Sequence, residues 1–293
     1  MCEYRTLISF QGDVLINQYK YEKEPAKMGE GGRLDKLDEI TSKHRGDPDF
    51  MLSLARGLQV LLAFSDKSLP SSTADIARRT GLDRAVARRC IHTLECLGML
   101  SREGKRFILG VNVLNLGHAY FSSIDVVQRA QPLLDTLGDA VHTNCALAML
   151  NRGDVVYLVR SQSRRLTKQS LGMGSRLPAH CTSLGRVLLA QLDQAALDAY
   201  FHVTHRPLIT PYTVTDEALL RSLLKQVEAS GFAIVNQEVG MDLIGIAVPV
   251  KIKNFEPQLA LSVTVSTRST APEDMKNRYL AKMLDTASKL GAF

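Results

Sequence analysis

The stretch Ala77–Leu100, "ARRTGLDRAVARRCIHTLECLGML", decides the N-terminal fold, because it sets five arginines into a segment with the period of a buried helix. Val86, Cys90, Leu94 and Leu97 recur at i, i+4, i+8 and i+11, the spacing of one helical face. Arg84, Arg88 and His92 fall opposite, with Ala85 and Arg89 beside them. Upstream, TADIARRT reads as a shorter helix capped by Ser71, Ser72 or Thr73, and Gly81 supplies the left-handed residue that closes it and opens a tight turn. Further upstream, FMLSLARGLQVLLAFSD puts Leu54, Leu58, Leu61 and Leu62 on one helical face. After Gly98, Met99–Arg102 and Arg106–Leu109 alternate about the turn Glu103-Gly104-Lys105 like a short hairpin.

Helix, short helix, glycine turn, longer helix and basic hairpin is the order of a winged helix-turn-helix. The apolar face is expected to seat the longer helix and the arginine face to enter a DNA major groove. There, arginine binds guanine bidentately or contacts phosphate. The residues expected at DNA are Arg56, Ser71, Thr73 and Arg78 on the first two helices, Arg84, Ala85, Arg88, Arg89 and His92 on the longer one, and Arg102, Lys105 and Arg106 in the wing. The bland alternative, a solvated surface helix in a helical domain, explains the charge but not the hairpin.

Charge supports the DNA reading. Residues 50–112 carry 10 basic and 5 acidic side chains, a net of +5, whereas residues 1–49 carry 8 and 10, a net of −2. A phosphate-facing surface concentrates charge in this way. One helix-turn-helix reads only a few base pairs, so the expected partner is a pseudo-palindromic double-stranded operator read by a homodimer or a dimer of dimers.

A chain of 293 residues suffices for two domains, and 45% hydrophobic content is that of a globular protein. No apolar run approaches eighteen residues and the first twenty lack a secretory pattern, so no membrane partner and a cytoplasmic location are expected. The five cysteines are odd in number and form no C-x-x-C pair, which argues against a disulfide framework, a structural zinc or any other metal. The expected organisation is a disordered tail over 1–48, with a short helix near Leu34–Ile40, a winged helix-turn-helix over 49–110, a linker helix over 111–125, and an effector-binding domain over 126–293. The apolar linker near Leu114–Phe121 is the expected dimer seam.

In the last of these segments, TNCALAML and VVYLVR flank a turn at Asn151-Arg152-Gly153-Asp154. A capped helix follows Cys181, a short one lies near Gln194–Tyr200, and an amphipathic helix with Thr215 ahead of Leu219 comes next. FAIVNQ, LIGIAVPVKI and QLALSVTVST are strands, and a helix opening near Pro272 ends the chain. Antiparallel strands flanked by helices give the fold class α+β.

LARGLQVLLAFSD, IARRTGLDRAVARRCIHTLECLGML, VVYLVRSQSRR, GSRLPAHCTSLGRVLLA, ITPYTVTD and GFAIVNQEVG…IAVPV together resemble the IclR family of bacterial transcription regulators. More narrowly, they are similar to the PcaR/PobR-type branch that controls aromatic-acid catabolism. The resemblance runs from about Phe50 to the C-terminus. It implies an N-terminal winged helix-turn-helix, a linker helix, a C-terminal GAF-like effector-binding domain, and dimers or dimers of dimers on DNA. Where the family commonly reads E-x-x-x-G-L-R-[SC]-I-A-V-P, this chain keeps Glu238 but has Asp242, Ile244 and Gly245 at the Gly, Arg and Ser/Cys positions. His180 stands where the branch often has Tyr.

A small organic, aromatic acid is the effector this resemblance implies, with Asn144, Arg160, His180, Cys181, Thr182, Ser183, Val235, Asn236, Glu238 and Gly245 as its candidate site. The loop Pro178–Ser183 leads into a helix whose N-terminus suits a carboxylate, and Arg160 and Arg176 can add charge. Asn236 and Glu238 are candidates for ring hydroxyls, with Ala179, Val235 and Ile246 as apolar walls. Each has a bland counterpart: Arg160 as a solvated strand end, His180 as a structural histidine, Thr182 and Ser183 as caps. An enzyme would need Cys181 as a thiolate beside His180, but sequence neighbours seldom pair catalytically. No G-x-S-x-G, Walker, H-E-x-x-H or G-x-G-x-x-G motif is present. An architectural DNA-binding protein without effector would leave the C-terminal domain without a purpose. The expectation is a regulator, no enzyme, with no cofactor.

Overall fold

The computed structural model describes residues 32–44, 46–64, 70–123, 125–161, 171–252 and 258–292. The chain divides into two compact units that meet in sequence between Ile124 and Asp125. Among the described residues no helix is long and apolar enough to cross a membrane.

In the N-terminal unit, α1 (Gly32–Lys43) precedes α2 (Leu52–Leu62), α3 (Thr73–Thr80), α4 (Arg84–Cys96), the hairpin β1 (Leu100–Glu103) and β2 (Arg106–Leu109), and α5 (Val113–Ser123). The helix expected near Leu34–Ile40 is thus a longer α1, tied to α2 where the Gln59 amide donates to the Asp38 carboxylate. The rest of the expected tail, residues 1–31, lies outside the described residues. Ser72 forms a capping box with Asp75 at the start of α3, and Gly81 (φ 66°) closes it in the left-handed region, where glycine carries no Cβ penalty. Asp83 caps α4 by accepting from the Ala85 N–H.

The helices form as read, but two buried faces are rotated from their expected positions. In α4 the stripe centres on Ala87 and Ile91, flanked by Cys90 and Leu94, while Leu97 caps the helix and is 59% exposed. In α2 the core face is Gln59, Val60 and Leu61, and Leu54 and Leu58 point outward. Periodicity ranks faces by apolar content, whereas the core is set by neighbours: Ile91 packs with Val60, Phe64, Ile76, Leu100 and Phe107. Gln59 can be buried because it donates to the Thr80 carbonyl at 2.9 Å.

The second unit is built on one antiparallel sheet of order β5-β4-β3-β8-β7-β6: β3 (Asn144–Asn151), β4 (Asp154–Arg160), β5 (Arg176–Pro178), β6 (Ala233–Asn236), β7 (Leu243–Val250) and β8 (Leu259–Ser266). The β3–β4 turn falls where the sequence puts it, with Arg152 (φ 49°) and Gly153 (φ 83°) both left-handed, as a two-residue hairpin requires. β5 is a strand the sequence reading missed. α6 (Asp125–Val141) packs on β3 and β4 and against the C-terminal helix α10 (Ala281–Gly291), which also contacts β7 and β8. The expected last helix begins with a π-helical turn, Lys276–Leu280. The short helix α8 (Gln194–Val203) follows α7 (Ser183–Leu189), and the amphipathic helix α9 (Glu217–Ser230) is capped by Asp216 rather than Thr215.

α7 is buried along its whole length. The cluster it shares with the sheet includes Ala146, Ala148, Ala233, Ala247 and Ala260, and small side chains let a helix lie close to the strands.

Ile91→Ala should remove about 2–5 kcal/mol from the N-terminal unit, the cost of a buried large-to-small change. Leu97→Ala should cost less than about 0.5 kcal/mol. Denaturant unfolding of both variants checks the assigned face, which equal losses would refute.

Candidate functional site

On the N-terminal unit, Arg84, Ala85, Arg88, Arg89 and His92 lie together on the solvent side of α4, and Lys105 is exposed at the hairpin tip. The other two wing arginines are held in place. Arg102 donates to both carboxylate oxygens of Glu95 at 2.8 and 2.9 Å and lies 4.9 Å from the Phe107 ring, fixing the wing to α4. Arg106 donates to the Pro70 carbonyl at 3.0 Å. Arg78 is exposed and paired with Asp75 at 2.7 Å, and Arg56 and Thr73 are half-buried. Ser71 corrects the expectation. It is buried, and its backbone exchanges two hydrogen bonds of 2.9 Å with Phe107, joining the wing to the chain ahead of α3.

In the C-terminal unit a pocket opens between α7 and the alanine-rich sheet face, with about 730 Å³ of empty space including its mouth. Eight expected residues line it: Asn144, Arg160, Cys181, Thr182, Ser183, Val235, Glu238 and Gly245. His180 and Asn236 do not, nor do Arg176, Ala179 and Ile246. Arg176 instead donates to Asp154 at 3.2 Å and to the Asn151 side chain at 2.8 Å. Tyr157, Leu171, Leu177, Ser262 and Thr264 also line the pocket and were missed. Ser262 and Thr264, two residues apart in an otherwise apolar strand, carried a signal that periodicity could have caught.

Arg160 is the cation among the described residues of this lining. Its guanidinium lies 5.7 Å from the Tyr157 ring, donates to the Leu171 carbonyl, and has no carboxylate partner among the described residues. The helix N-terminus supplies less than expected: α7 has only seven residues, and the Thr182 hydroxyl already accepts from the Gly185 N–H at 2.9 Å.

Glu238 lines the pocket but is not available to a ring hydroxyl. Arg186, 3% exposed inside α7, donates from Nη2 to both oxygens of Glu238, 2% exposed, at 2.7 Å each. The Val214 N–H donates to the same carboxylate at 2.9 Å, and Arg186 Nε donates to the His180 carbonyl at 3.1 Å. Burial pushes the Glu238 carboxyl above the usual range, and the guanidinium opposes that rise. The sequence signal for this pair was a lone arginine in the apolar run SLGRVLLA.

The enzyme reading fails on the same geometry. Cys181 is fully buried, and burial pushes its thiol well above its ordinary value, so no thiolate forms. His180 turns away from it and meets the Pro207 carbonyl at 3.1 Å. Burial holds the imidazole neutral by lowering its pKa to about 4.

Two family models match the chain: the IclR helix-turn-helix domain over residues 53–104 and the bacterial transcriptional regulator IclR C-terminal domain over residues 118–292. The chain is 39% identical over 246 residues to the Pca regulon regulatory protein of Pseudomonas putida, covering 84% of each. It is 32% identical to the p-hydroxybenzoate hydroxylase transcriptional activator of Acinetobacter baylyi, covering 83% of this chain and 91% of that one. It also resembles the crystallised inducer-binding domain of a PobR double mutant from Acinetobacter in complex with 3-hydroxybenzoic acid, at 30% identity and a TM-score of 0.51, covering 55% of this chain and 94% of that one.

Arg186→Ala would strand a buried carboxylate and should cost about 3–5 kcal/mol, whereas the double change Arg186→Met with Glu238→Leu should recover most of the loss. Thermal unfolding of the two variants checks this. A single variant as stable as the double would show that the pair is not buried as described.

Proposed function

The chain belongs to the IclR family of bacterial transcriptional regulators, and on that premise we propose that it reads operator DNA as a homodimer and answers to an aromatic carboxylate held by Arg160. It is a DNA-binding regulator and not an enzyme. Arg84, Arg88, Arg89 and His92 read the major groove, and Lys105 meets the backbone from the wing. A second copy packs on the apolar linker, where Val111, Leu114 (70% exposed) and Leu116 face outward. The two reading helices then meet successive half-sites of a pseudo-palindrome in cytoplasmic DNA.

Arg160 carries the effector reading. This guanidinium, set against an aromatic ring and a backbone carbonyl and without a carboxylate partner among the described residues, offers its remaining N–H groups to a carboxylate in a pocket lined mainly by apolar and hydroxyl-bearing side chains. The relatives' names point to the same chemistry, since one regulates p-hydroxybenzoate hydroxylase and one binds 3-hydroxybenzoic acid. Such a contact with one buried ring gives about 4–8 kcal/mol, or micromolar to millimolar affinity. Binding acts on DNA by favouring one of two dimer states.

Two outcomes test this. Arg88→Ala should weaken operator binding by about 1–3 kcal/mol and relax one base position, while Lys105→Ala should weaken binding to all sequences alike. A duplex carrying one half-site should bind less tightly than the whole operator, and equal affinity would argue against a dimer. Separately, Arg160→Ala should reduce benzoate affinity roughly 10- to 100-fold, the worth of a charged hydrogen bond. Calorimetry on the full chain measures it, and unchanged heat would remove Arg160 from the site.

A further inference from the structure

Gly245 lines the pocket on β7, opposite Val235 on β6 and Thr264 on β8. A Cβ built there would lie 2.9 Å from the Ser183 hydroxyl and 3.5 Å from that of Thr264. The first distance is shorter than real Cβ contacts. The backbone does not require glycine at this position, because its φ lies outside the left-handed region. A glycine inside a strand is destabilising relative to alanine. What it provides here is space, directly beneath two hydroxyls.

Those hydroxyls are unspent. Ser183 Oγ, Thr264 Oγ1, Ser262 Oγ and the Asn144 amide all line the pocket, and none hydrogen-bonds to any described residue. Ser183 and Ser262 are nevertheless buried. Their polar atoms are open to the pocket, so this wall suits a ligand edge that gives and takes hydrogen bonds. Register also fixes its distance from the cation. Arg160 pairs with Ala146, Ala146 with Ser262, and Ser262 with Ala247, two residues from Gly245. Three strand spacings are about 14 Å, and the arginine's own reach spans part of that. The remainder fits one six-membered ring between a carboxylate and its distal hydroxyls.

We propose that Gly245 is a specificity-determining residue, and that the space it leaves takes the second of two adjacent ring hydroxyls, making the effector a dihydroxylated benzoate. This rests on the carboxylate reading of Arg160. The hydroxyl in that space exchanges hydrogen bonds with Ser183 and Thr264, and its neighbour faces Ser262 and Asn144.

The test is calorimetry on the full chain with 3,4-dihydroxybenzoate, 4-hydroxybenzoate and benzoate. The unmodified protein should bind the dihydroxy acid at least 10-fold more tightly than the monohydroxy acid. That ratio should fall at least 10-fold in Gly245→Ala, where a methyl group fills the space, and in Thr264→Val, which keeps the shape and removes the hydroxyl. Thr264→Val decides the matter if Gly245→Ala does not fold. A ratio that neither variant changes, or a wild-type preference for the monohydroxy acid, overturns the assignment of Gly245 while leaving the Arg160 reading intact. If no benzoate gives heat, both readings fall.

Discussion

Arg186 and Glu238, fifty-two residues apart in sequence, face each other inside the C-terminal unit with almost no exposure. Removing two charges from water is expensive, and their mutual attraction repays it only when every remaining donor and acceptor is met. Here they are nearly all met: the guanidinium also holds the His180 carbonyl, and the carboxylate takes the Val214 N–H. The hydroxyls of Thr210 and Thr213 then donate to the Gln237 and Glu238 carbonyls. One pair thereby ties α7, the loop before it, the 209–214 loop and the chain between β6 and β7 into one arrangement. The pocket lies against that arrangement, so its shape depends on a contact that makes no direct claim on the effector.

This divides the labour among charges. Glu238 is spent on structure, and its negative charge is answered by Arg186 before any ligand arrives. Arg160 is left as the cation among the described residues of the pocket lining. The pocket therefore combines one guanidinium with apolar and hydroxyl-bearing side chains. The N-terminal unit follows the same economy. Glu95 holds Arg102 and Asp75 holds Arg78, whereas the arginines on the solvent side of α4 and Lys105 at the tip of the wing are exposed.

Much of this was legible from the chain alone. The order of helices and hairpin, the left-handed Gly81, the two-residue turn at Arg152-Gly153 and the solvent-facing arginines of α4 follow from local rules that act over a few residues. Eight of ten expected effector residues line the pocket, because the family resemblance carried information that periodicity does not. The errors have a common source. Leu54, Leu58 and Leu97 were assigned to the core by apolar spacing, but a helix with two apolar stripes does not say which one meets the rest of the fold.

The sequence by itself determined the α+β class, the arginine-bearing helix and the separation into two units' worth of pattern, because turn chemistry, capping and hydrophobic period are local properties. Only the tertiary structure decided that Glu238 is occupied by Arg186, that His180 and Asn236 stand away from the pocket, and that Gly245 opens it beneath Ser183 and Thr264. Each of these depends on residues brought together across strands and loops. Burial, pairing and free space are properties of that neighbourhood and not of any one segment.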